Sequence, residues 1–187
     1  MPLTEKGRKQ AAATAEYLKD VNFSAVYSSD LIRAYETAEQ TARVHGLPVI
    51  ADKNLREIYA GEWEGRTFSD LVTSYPEEYV IWRDSIHLSR PTGGESMSEL
   101  DERIWSAINV IAKRHVGQKV FIATHATPIR LILRRLKGLP FEELNKVSWV
   151  SNASVTTVKY EDGKFTLIQE GYDAHLDGMC TRLSAVI

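Results

Sequence analysis

Lys119-Val120-Phe121-Ile122-Ala123-Thr124-His125-Ala126-Thr127-Pro128 is the stretch that decides the fold. Lys119 to Ala123 is continuous, apolar and β-branched, the pattern of a strand buried on both faces of a parallel sheet. The run breaks at polar Thr124 and His125. Thr127 reads as an N-cap and Pro128 as the first helical residue, since proline there sacrifices no hydrogen bond and already holds a helical φ. The helix runs to Lys137, and Gly138 stops it. A buried strand entering a helix through a histidine is a unit of an open α/β fold, in which ligands sit beyond the carboxyl ends of the strands.

The pattern repeats outward from this junction. Thr4 can cap a helix whose body is Gln10 to Leu18, rich in alanine. Ala25 to Ser28 is a short strand, and Ser29 or Asp30 caps a helix to about His45 that closes on Gly46. Leu47 to Ala51 is a second short strand. Leu55 to Met97 differs: it is rich in Trp, Tyr, Glu and Arg, carries Pro76, Pro91, Gly93 and Gly94, and reads as short helices and loops laid over the sheet. Ser96 with Glu99 is a capping box for a helix to about Arg114. Ser154 to Tyr160 and Lys164 to Glu170 flank Glu161-Asp162-Gly163, a hairpin signal. The expected architecture is α/β, three-layer, with a mainly parallel sheet flanked by helices.

Composition narrows the function. The chain has 187 residues, 43% of them hydrophobic, enough for one domain with one core. A formal charge of -2 argues against a nucleic-acid partner. No apolar run is long enough to span a bilayer. Met1-Pro2-Leu3-Thr4-Glu5-Lys6 holds no apolar signal core. The lone Cys180 cannot form an internal disulfide, which suits a reducing compartment. The expected location is the cytoplasm. No Asp, His and Cys grouping has metal-ligand spacing.

Three places carry polar residues where chemistry could sit. Arg33 lies about one turn into the helix after Ser28, where a guanidinium beside free backbone N–H groups suits a phosphate; it could equally be a surface arginine paired with Asp30 or Glu36. His125 could hydrogen-bond an anion or exchange protons with it, or be a core histidine held by its neighbours. Glu57 stands among apolar and aromatic neighbours, in Leu55-Arg56-Glu57-Ile58 followed by Gly61-Glu62-Trp63-Glu64-Gly65. Burial there would keep it protonated and able to donate to a leaving alkoxide; the alternative is an ordinary surface glutamate.

Leu3-Thr4-Glu5-Lys6-Gly7, Ser28-Ser29-Asp30-Leu31-Ile32-Arg33-Ala34 with Thr37-Ala38, Leu55-Arg56-Glu57 with Gly61-Glu62-Trp63-Glu64-Gly65, and Thr124-His125 occur in the order seen in histidine phosphatases. Over essentially its whole length the chain resembles that phosphoglycerate mutase-like superfamily, in its cofactor-independent phosphatase branch. The Ser-Asp-Leu-x-Arg-Ala and Trp-Glu-Gly motifs carry the specificity, whereas Thr-His alone is weak. The resemblance implies a single domain with an inserted lid at about residues 58–97. It implies that Arg33 binds phosphate, Glu57 donates the proton, and His125 is the second histidine of the phosphate pocket. The residue after that histidine is often glycine in the family and is Ala126 here; a backbone N–H would survive that change. The implied reaction is hydrolysis of a small phosphorylated metabolite through a phosphohistidine, with neither cofactor nor metal. Phosphoglycerate mutase, a cobalamin-pathway nucleotide phosphatase and a non-catalytic phosphate binder are the alternatives.

One departure matters. In the family, a first strand ending in Arg-His-Gly supplies the histidine that takes up the phosphoryl group, upstream of Leu-Thr-Glu-Lys-Gly. Here only Met1 and Pro2 precede Leu3, so the expectation is a domain without its first strand, inactive or weakly active. His45, His87, His115 and His175 are poor replacements. Either the start is truncated, or a short form closes the gap by repacking or by pairing with another chain, as in a homodimer.

Overall fold

Thr4 begins the first helix by accepting the Gly7 N–H on its Oγ1 at 3.1 Å, a cap worth about 1 kcal/mol. The computed structural model describes residues 1–181. Its helices are α1 (Glu5–Tyr17), α2 (Ile32–His45), α3 (Phe68–Ser74), α4 (Pro76–Asp84), α5 (Met97–Arg114) and α6 (Ala126–Leu136). Its strands are β1 (Ala25–Ser28), β2 (Val49–Ala51), β3 (Val120–Ala123), β4 (Val155–Glu161) and β5 (Lys164–Tyr172). The first three form a parallel sheet in the order β2-β1-β3, with Ala25 opposite Val120 and Val26 opposite both Phe121 and Val49. β4 and β5 make a separate antiparallel hairpin turning at Asp162-Gly163, where the sequence places it.

Strand alternation sorts the core into two layers. Ala25 and Tyr27 pack with Leu100, Ile104 and Ile111 of α5 and Leu131 of α6. Val26 points the other way, to Ala38 and Ala42 of α2. Small alanines let α2 lie close to the sheet, while the larger side chains fill the thicker layer. The sequence expectation of helices on both faces of a parallel sheet is therefore met. The outer edge of β3 carries no partner strand among the described residues. Val120, Phe121 and Ile122 there are half-buried, unlike the wholly buried β1.

The region from Leu55 to Met97 does form short helices and 3-10 turns. It is not merely laid over the sheet: Trp63, Leu71, Trp82 and Ile86 belong to the same core as Leu100 and Ile104. Its two ends meet at Gly61, whose φ is 54° and whose missing Cβ would run into the backbone of Thr92 to Gly94. Only glycine allows that approach at that φ.

Two helix starts differ from the sequence expectation. α2 begins at Ile32 with Leu31 at the N-cap, not Ser29 or Asp30. Ser29 Oγ accepts the Leu31 N–H at 3.2 Å, and Asp30 faces Arg56 instead. α6 begins at Ala126 with His125 at the N-cap, so Thr127 and Pro128 lie inside the first turn. Proline is tolerated there because N–H groups of the first turn have no intrahelical acceptor.

Candidate active site

β1 and β3 pair side by side and end together: the Ser29 N–H bonds the Ala123 carbonyl at 2.9 Å. The two strand-to-helix junctions therefore open on one spot. His125, 7% exposed, has its Nε2 2.8 Å from Ser29 Oγ, while Nδ1 has no partner among the described residues. Burial and the nearby Arg33 and Arg103 charges push its pKa down to about 3. The ring is neutral at pH 7 and can offer an N–H or a lone pair to a ligand.

Glu57 completes the cluster. Oε1 accepts the Ile58 N–H at 2.9 Å and Oε2 the Thr127 N–H at 3.3 Å, which ties the loop to the N-terminus of α6. Desolvation of the carboxyl raises its pKa, against the opposing pull of these N–H groups and of Arg33. The loop beneath it is held by two clamps. Thr124 Oγ1 donates to the Leu55 carbonyl at 2.7 Å. Arg103 donates to the carbonyls of Asn54, Arg56 and Glu57 and pairs with Glu95 at 2.7 Å.

Arg33 is half-buried and, among the described residues, its guanidinium has no hydrogen-bonding or ion-pair partner. The two acids that might have neutralised it are engaged: Asp30 with Arg56 in a bidentate pair at 2.6 Å, and Glu36 with the Leu3 N–H at 2.8 Å. Its charge acts on both Glu57 and His125. Ala126, first residue of α6, leaves its N–H without an acceptor among the described residues. An unpaired guanidinium, a neutral histidine and a helix N-terminus lie together, a set of groups whose chemistry suits a tetrahedral anion. The four sequence-predicted residues thus come together.

Four supporting residues escaped the sequence reading. Ser29 was seen only as a cap, yet it orients His125. Asp30 is engaged by Arg56, which leaves Arg33 without that carboxylate. Thr124 and Arg103 hold the Glu57 loop; Arg103 lies 46 positions from Glu57, and no local pattern links them. The other histidines stand elsewhere: His45 against Phe23, His87 against Phe141, His115 bonded to Tyr27, His175 to Thr14. Among the described residues no group of His, Cys, Asp and Glu could hold a metal ion, and no helix is long and apolar enough to cross a membrane.

The depressed pKa of His125 gives a stability signature. The folded form resists protonating this ring, so its contribution is full above the unfolded pKa near 6.5 and shrinks as pH falls toward 3. Relative to wild type, His125→Gln is expected to gain about 2–3 kcal/mol on going from pH 7 to pH 4.5, read from urea melts at both values. A difference that does not change with pH would show that the ring titrates normally.

Known proteins resemble this chain over most of its length. Phosphoserine phosphatase 1 of Hydrogenobacter thermophilus is 29% identical over 93% of this chain and 82% of its own. Phosphoglycerate mutase-like protein 4 of Arabidopsis thaliana is 35% identical over 94% of this chain and 76% of its own. The solved structure of Bacillus stearothermophilus YhfR superposes with a TM-score of 0.90 at 32% identity, covering 94% of this chain and 87% of that one. Residues 1–172 match the histidine phosphatase superfamily (branch 1), and the chain belongs to that family.

Proposed function

We propose that this domain is a phosphomonoesterase acting on small phosphorylated metabolites in the cytoplasm. The observation that carries the reading is Arg33: a half-buried guanidinium without an anion among the described residues, beside a neutral histidine and a helix N-terminus. Burying such a cation unpaired is costly unless a ligand anion completes it. The names of its relatives, phosphatases and mutases of phosphoesters, support the same class.

In this reading the phosphate rests on Arg33, His125 and the Ala126 N–H. These donors offset charge on the equatorial oxygens as phosphorus is attacked. The attacking nitrogen is the histidine of the Arg-His-Gly motif that the family resemblance implies. That motif does not occur in residues 1–187, so the reaction needs it supplied. A P–N bond forms as the P–O bond to the leaving group breaks, and Glu57 gives its proton to the departing oxygen. The resulting Glu57 carboxylate then takes a proton from water as that water attacks phosphorus and the P–N bond breaks. Every step uses protein groups and water.

The test is turnover. The domain joined to a strand carrying Arg-His-Gly, assayed on several phosphomonoesters, is expected to release phosphate at an undiminished rate in excess chelator. Transfer to a second phosphorylated acceptor instead of water would mark a mutase. Binding without either reaction would mark a phosphate-binding protein.

A further inference from the structure

A second arginine without a counter-ion among the described residues lies on α6, about one turn beyond His125. Arg130 is 5% exposed. Its Nε donates to the Val147 carbonyl at 2.9 Å and one Nη2 proton to the Leu144 carbonyl at 3.0 Å. Its guanidinium lies over the Trp149 ring, 4.1 Å from the centroid. Among the described residues no carboxylate pairs with it and Nη1 has no acceptor. A guanidinium carries five donors, and two are used here. Burial alone drags its pKa down to about 10, the sign of an uncompensated cation.

This arginine lines a cavity of about 230 Å³ together with Trp82, Ile86, Asn145, Ser148 and Trp149. Arg83 on the same wall is already paired with Asp84. No acidic side chain lines the space, and no residue of the Arg33 pocket does. Trp82 is 8% exposed, and its Nε1–H also lacks an acceptor. Two buried residues with unused donors thus share one cavity. Native proteins leave few such donors unsatisfied, and those left over ask for an explanation. The remaining walls, Ile86 and the faces of Trp82 and Trp149, are apolar. At roughly 30 Å³ per water, the volume equals about seven or eight waters, the size of a compact organic molecule.

We propose that this cavity is a binding site for a small monocarboxylate with an aromatic or branched apolar body, its carboxylate on Arg130 and its body against Trp82, Ile86 and Trp149. The planar carboxylate matches the guanidinium fork. The walls come from three parts of the chain: α4 with the turn at 86–88, Arg130 of α6, and the segment 145–149. A ligand between them pins the segment from 58 to 97 to the body of the domain. The proposal does not depend on hydrolysis at the Arg33 pocket.

The experiment uses the 187-residue protein, benzoate as probe and benzamide as its neutral counterpart, read on the indole resonances of Trp82 and Trp149. Benzoate is expected to shift both saturably. Benzamide, and benzoate on Arg130→Met, are expected to bind about tenfold more weakly or worse, the usual loss for a charge-assisted hydrogen bond. Ser148 is exposed, so Ser148→Phe fills the cavity without disturbing the core and should abolish the shifts. It keeps the test decisive if Arg130→Met does not fold. Absence of saturable shifts at both tryptophans, equal binding of benzamide, or unchanged binding in Ser148→Phe would overturn the site.

Discussion

The 187-residue chain is expected to hydrolyse phosphomonoesters at least about a thousandfold more slowly than the same domain joined to a strand carrying Arg-His-Gly. The reason is chemical. Arg33, His125 and the α6 N-terminus can hold a phosphate, but none is placed as a nucleophile. His125 is fixed through Nε2 to Ser29, and the four other histidines are bonded or packed away from the pocket. What remains is binding and electrostatics, which alone give slow turnover. The free edge of β3 offers half-buried apolar residues and an open ladder to such a strand. Steady-state rates on a common aryl phosphate check the ratio. Ordinary enzymic turnover by the short chain would mean that another residue attacks, and trapping the phosphorylated peptide would identify it.

The second large effect belongs to Glu57. In the active, extended protein, Glu57→Gln is expected to lower kcat by about 10²–10⁴ for alkyl phosphates, whose leaving oxygen needs a proton. It should change kcat little for nitrophenyl phosphate, whose leaving group departs as an anion. Because desolvation raises the Glu57 pKa, the acid form persists to higher pH than for an ordinary glutamate. Turnover of alkyl phosphates should therefore fall as pH rises through that raised value, and the fall should vanish in Glu57→Gln. An equal loss on both substrate types would assign Glu57 a structural role.

The fold was readable wherever one residue pattern had one physical meaning. Val120 to Ala123 could only be a strand, although three of its four residues are half-buried rather than buried on both faces, and Asp162-Gly163 could only be a tight turn. Helix starts were less legible, because a polar residue near a helix competes with other uses for its side chain. Ser29 is spent on Leu31 and His125, and Asp30 on Arg56. The region from Leu55 to Met97 resisted reading because its tryptophans pack at irregular spacing into a core made by distant α5. At the site, Arg33 and His125 stood out by position, each just past a strand end. Glu57 did not, since its surroundings depend on Arg103 and on Thr127 far along the chain. Arg130 carries no local signal in the sequence; its cavity and the lack of a counter-ion among the described residues set it apart.

The central claim is that Arg33, His125 and the N-terminus of α6 form one phosphate pocket. Calorimetric titration of inorganic phosphate into the 187-residue protein tests it most directly, run alongside Arg33→Ala. The account predicts weak, saturable binding that Arg33→Ala weakens by about tenfold or more, as expected for a bidentate charged contact. Phosphate binding that is the same in wild type and Arg33→Ala would contradict it.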